Sequence, residues 1–157
     1  MSCNMFATAL LAALALATSP MVISWGDLVP ENEAMEAFDS SIQQHDEPAQ
    51  QRGSANTVAD LDGQEIRMPG FMLPLDYTED DMVGGFLLVP YYGACIHVPP
   101  PPPNQIVYVD ASAAPVEPRG LWDPVWVEGR MELQMNINEL GDAAYTLRLS
   151  KVEPYED

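Results

Sequence analysis

Between residues 125 and 135 apolar and polar side chains alternate without a break. Val125, Val127, Gly129, Met131, Leu133 and Met135 fall on one face, and Trp126, Glu128, Arg130, Glu132 and Gln134 on the other. A period of two is that of a strand with one face toward a core. The alternation returns over residues 144–152, where Tyr145, Leu147 and Leu149 oppose Thr146, Arg148 and Ser150. Residues 85–89 (GFLLV) form a continuous apolar run, which predicts a buried strand, and 104–109 (NQIVYV) predicts another. Asp62-Gly63 marks a turn into a strand near 64–72, which Pro69-Gly70 is expected to interrupt and Pro74 to end. Thr78 to Asp81 reads as an acidic loop without the spaced ligands of a calcium-binding loop.

Upstream the period changes. Apolar positions at Ala34, Met35, Phe38 and Ile42 within residues 31–44 fit one face of a short helix, and residues 43–56 are polar with Pro48 and Gly53. Residues 25–56 are therefore expected to be an acidic helical or linker segment, ahead of a β domain over 57–157. Short strands spaced by turn residues, with a glycine in the middle of the best one, predict a mainly β fold. The specific expectation is a small curved or closed barrel of about five to six strands resembling an OB-fold, with a β-sandwich as the alternative.

Residues 5–17 (MFATALLAALALA) are uncharged and apolar, of leader-peptide length and short for a bilayer span. Residues 1–24 are read as a signal peptide, although Met-Ser-Cys-Asn at the start lacks the positive charge usual there. Small residues offer cleavage after Ala17 or after Ser24. A periplasmic or exported location follows, with no stable membrane span once the leader is removed. Cys95 is then the single cysteine, so an internal disulfide is excluded.

The chain of 157 residues is long enough for one core, and its 24 acidic against 6 basic residues give a formal charge of −18. A phosphate backbone would be repelled, which argues against nucleic acid, whereas cationic partners would be attracted.

The candidate chemistry is concentrated in Tyr91-Tyr92-Gly-Ala-Cys95-Ile-His97-Val, followed by Pro99, Pro100, Pro101, Pro102, Pro103, Asn104 and Gln105. In an extended backbone Cys95 and His97 would project from the same face, and the prolines would follow as a stiff polyproline II rod. Three readings remain open. Cys95 and His97 could ligate a thiophilic ion, zinc or copper, with further ligands from elsewhere, His45 among them. His97 could lower the pKa of Cys95 and make it a nucleophile or redox group. Alternatively, Cys95 is a buried apolar residue and the prolines form a rigid crossover. The tyrosines, the prolines, Asn104 and Gln105 together suit an interaction surface, because a preformed rod loses little entropy on binding. No Ser/His/Asp arrangement, phosphate loop or paired catalytic carboxylates is evident.

Trp25-x-Asp27-Leu28-x-Pro30, Gly70-Phe-Met-Leu-Pro-Leu75 and Cys95-x-His97-x-Pro-Pro-Pro-Pro with Asn104-Gln105 resemble a family of exported bacterial proteins containing a domain of unknown function. The resemblance spans the mature chain. It implies an envelope location and genes sometimes encoded beside those of ABC-type permeases and metal-binding exported proteins. The expected function is a non-catalytic periplasmic binding or accessory protein, binding a metal through Cys95 and His97 or engaging an envelope transporter or exported partner. A thiol-dependent enzyme or redox protein and a purely structural envelope protein are the alternatives.

Overall fold

The alternating segments do become strands, and each pairs with two neighbours. The computed structural model describes residues 19–33 and 50–156. The expected leader core over 5–17, most of the expected helix over 31–44, and His45 lie outside these residues. The strands are β1 (Met21–Val22), β2 (Glu65–Tyr77), β3 (Val83–Val89), β4 (Val107–Asp110), β5 (Asp123–Glu132) and β6 (Tyr145–Pro154). Single 3-10 turns occupy Trp25–Leu28, Ala59–Leu61 and Pro103–Gln105.

β2 pairs antiparallel with β3 and with β5, β3 pairs antiparallel with β4, and β4 lies parallel to β6, which returns antiparallel to β5. The pairings close on themselves in the order β2-β3-β4-β6-β5-β2, so five strands form a barrel and β1 is added to the start of β2. This is the OB-like arrangement expected, and ring closure leaves no place for two separate sheets.

Inside the barrel sit Ile66, Met68 and Met72 of β2, Phe86 and Leu88 of β3, Val107 and Val109 of β4, Val125, Val127 and Met131 of β5, and Tyr145 and Leu147 of β6. Tyr145 brings a hydroxyl into this core, and both of its bonds are made locally. It donates to the Leu28 carbonyl at 2.8 Å and accepts from the Val58 amide at 2.8 Å.

The proline positions in β2 correct one expectation. The strand runs through Pro69-Gly70 and past Pro74 to Tyr77. On one side of β2 the partner β1 stops at Arg67 and β3 begins at Phe71, so Pro69 meets no ladder there that its missing donor could break. Trp25 fills the gap, its indole N–H donating to the Pro69 carbonyl at 2.9 Å. A Cβ on Gly70 would meet Leu88 at 2.6 Å and Trp25 at 3.0 Å, so glycine is what lets both side chains approach the strand this closely. The irregularity falls later, with register shifts between Pro74 and Tyr77.

Strand β5 curves where the alternation placed Gly129. Opposite Glu128 and Gly129 the register of β6 slips by one residue at Ser150, forming a bulge. A Cβ at Gly129 would lie 2.2 Å from the Arg148 carbonyl oxygen, a backbone atom that cannot swing aside. Gly129→Ala is therefore expected to destabilise the barrel by about 1–3 kcal/mol. Gly84→Ala, whose Cβ would meet nothing closer than 3.6 Å, is expected to be neutral to within about 0.5 kcal/mol. Urea unfolding midpoints of the two variants against the parent check this difference.

Candidate functional site

Strand β3 is buried on both faces, so something must cover its outer side. Leu87 and Val89 point outward and join Leu73 of β2 with Ala94, Ile106, Trp122 and Ala143 in a second apolar cluster. Phe71, Leu75, Tyr91, Cys95, Tyr108 and Leu140 pack around it. The cover is the connection between β3 and β4, residues 90–106, which contains all the candidate chemistry.

The backbone at Cys95 and His97 is not extended, which corrects the sequence expectation. Gly93 has φ +84°, and its carbonyl accepts hydrogen bonds from the amides of His97 at 3.0 Å and Val98 at 3.3 Å. The chain thus reverses in a tight turn, with Cys95 itself left-handed at φ +69°. The cause lies in a residue from the connection between β4 and β5. The Trp122 indole N–H donates to the Ala94 carbonyl at 3.3 Å, while the Trp122 amide is held by the Met72 carbonyl at 2.8 Å. Side-by-side presentation from a strand is therefore lost as the premise for a shared site.

Their environments also differ. The Cys95 side chain is half-buried against the second cluster, and burial pushes its thiol up to about 12. At neutral pH it is a thiol, whereas nucleophilic attack needs the thiolate. His97 is exposed, its ring centroid 5.1 Å from that of Trp122 and tilted by 38°. Tyr92 also packs on Trp122, at 5.1 Å and 49°. Trp122 is 6% exposed, while Tyr92, Ile96 and Leu121 are 69%, 47% and 55% exposed. The turn therefore presents a patch of aromatic and aliphatic side chains around one buried indole.

Strain is concentrated at the same place. Three described residues other than glycine have positive φ, namely Asp81, Cys95 and Trp122, and two of them meet here. Such conformations cost about 1–3 kcal/mol each and persist only where surrounding contacts over-determine them.

The proline run and its neighbours do a different job from the one expected. Asn104 and Gln105 are 3% and 5% exposed, so they face the interior and not a partner. Gln105 donates to the Trp25 carbonyl at 3.0 Å, and Asn104 donates from its amide to Ser54 at 3.1 Å and from its side chain to Asn56 at 3.3 Å. Gln51 donates to the carbonyls of Pro101 at 2.9 Å and Asp142 at 2.8 Å, and accepts from the Asp142 amide at 2.7 Å. Pro101 is buried, and the other prolines are partly buried. Half-buried Tyr91 reaches the Pro99 carbonyl with its hydroxyl at a long 3.5 Å.

Among the described residues no group of three or more His, Cys, Asp and Glu side chains is disposed to hold a metal ion.

Residues 25–154 match the family described as protein of unknown function (DUF3299). The chain belongs to the DUF3299 family. A crystal structure of a DUF3299 family protein from Pseudomonas aeruginosa PAO1 is 41% identical, covers 89% of this chain and 99% of its own, and superposes with a TM-score of 0.76. A small single-stranded DNA-binding protein from Streptomyces coelicolor overlaps at 14% identity, 59% of this chain, 94% of its own and a TM-score of 0.33, a likeness too weak to carry an argument. No curated protein of assigned function matches.

In this DUF3299 chain the three runs that carried the resemblance meet in space. Trp25 touches Pro69 and Gly70 and receives Gln105, Leu28 lies in the core beneath Tyr145, and the Cys95 turn packs on the outer face of the strand that follows Gly70. Trp122, the hub of the exposed patch, is the residue of this site that sequence reasoning misses. Its signal was the run Leu121-Trp122-Asp123-Pro124, an apolar pair set against turn residues. In the folded DUF3299 chain Cys95 is expected to react with iodoacetamide at pH 8 more than about 100-fold slower than in the denatured chain, as its buried thiol dictates. Intact-mass kinetics with and without denaturant measure the ratio.

Proposed function

We propose that this protein is an exported, non-catalytic binding protein of the bacterial envelope, which docks a basic protein partner through the patch around Trp122. The observation that carries this reading is the exposure of Tyr92, Ile96 and Leu121 beside His97, on two turns fixed by hydrogen bonds and tilted ring contacts. Aromatic side chains already ordered in the free protein lose little entropy on binding, which favours them as anchors. The formal charge of −18 supplies the complement to a basic partner, steering encounter and disfavouring acidic competitors. The apolar run over residues 5–17 supports export, and the family resemblance supports a membrane transporter or an accompanying exported protein as the partner. The packing of Cys95 against the second apolar cluster, which raises its thiol, favours the non-catalytic reading.

Photo-crosslinking in the exporting cell tests it. A benzophenone amino acid at Tyr92 or Ile96 is expected to give one discrete protein adduct, and the same probe at exposed Ser150 on the outer face of β6 is expected to give none. The adduct should fall at least about tenfold with Leu121→Asp and weaken as salt rises, since exposed charges are screened. Equal labelling from Ser150, or no adduct from either patch position, would overturn the proposal.

A further inference from the structure

Two positions in the first 24 residues suit a leader peptidase, and the barrel discriminates between them. β1 pairs in parallel with Ile66 and Arg67 of β2. The Ile23 amide extends that ladder by donating to the Arg67 carbonyl at 2.9 Å, and its side chain is 6% exposed within the main core. Ser24 donates from its amide and its hydroxyl to the Asp27 carboxylate, each at 2.7 Å, and so opens the Trp25–Leu28 turn. That turn places the Trp25 indole on Pro69 and Leu28 under Tyr145.

A chain beginning at Trp25 would lose the added strand, the buried isoleucine and the cap together. A chain beginning at Thr18 keeps them all, with Ser19-Pro20 leading into β1. Ala15 and Ala17 are the small residues required ahead of that bond. Resting on the export proposed above, we infer that processing occurs between Ala17 and Thr18, and that Met21 to Ser24 is a retained part of the barrel and not leader. The step is hydrolysis by a membrane leader peptidase. The oxygen of water bonds to the Ala17 carbonyl carbon, the amide C–N bond breaks, and Thr18 leaves with a free amino group.

The experiment is amino-terminal sequencing and intact-mass measurement of the full chain recovered from the periplasm of an expressing bacterium. A mature terminus at Thr18 is expected. A terminus at Trp25 overturns the inference and leaves export standing, whereas full-length protein retained in the cytoplasm overturns both. Ala17→Phe is expected to accumulate unprocessed precursor, and an unchanged product would count against the site. A secreted version lacking Thr18 to Ser24 should melt lower by about 5 °C or more. An unchanged melting temperature would refute the structural role given to β1.

Discussion

A run of prolines offers carbonyl acceptors and no donors, and the way this protein supplies the missing donors organises everything outside the barrel interior. The Pro99 carbonyl faces the Tyr91 hydroxyl, Pro101 takes the Gln51 side chain, Pro102 the Gln105 amide, and Pro103 the amides of Ile106 and Ala144. Those donors come from four stretches of chain: the turn before the prolines, the segment at 50–56, the two residues ahead of β4 and the connection between β5 and β6. The proline run is therefore a seam that joins separated segments, and the Cys95 turn sits where the seam begins. Its rigidity serves the fold first, while the patch beside it is ordered by the bonds of Trp122 and Gly93.

The outer face of the second and third barrel strands is where OB barrels commonly take their ligands. In this chain those strands are β3 and β4, and their outer side chains Leu87, Val89 and Tyr108 are packed under residues 90–106 and Trp122. The face is already occupied by the protein's own loop. Binding, on the reading developed above, has moved outward from the sheet to the upper surface of its cover. The thiol belongs to the underside of that cover, which accounts for both its half-burial and its raised pKa.

The barrel was legible because period-two alternation is a local property that the fold preserves: Val125, Val127, Gly129 and Met131 all turn inward as the pattern required. The apolar run of β3 likewise signalled burial on both faces. Pro69 misled because its effect depends on what lies beside it, and the gap between β1 and β3 is not written in the neighbouring residues. The Cys95 and His97 geometry misled for a related reason. Two residues of that spacing read as extended by default, yet Gly93 and a tryptophan from the connection between β4 and β5 bend them into a turn. Asn104 and Gln105 were recognisable as unusual, but their polarity suggested a surface when it served backbone carbonyls in the segments at 25 and 54–56.

Strand order carries a consequence for biosynthesis. β6, the last strand in the chain, lies between β4 and β5, so the ring cannot close until residues 145–154 have emerged from the ribosome. Every shorter nascent chain carries two open edges and an uncovered apolar interior, and most of its eventual partners are distant in sequence. Ring closure waits on β6, which keeps a growing chain threadable until those ten residues are available.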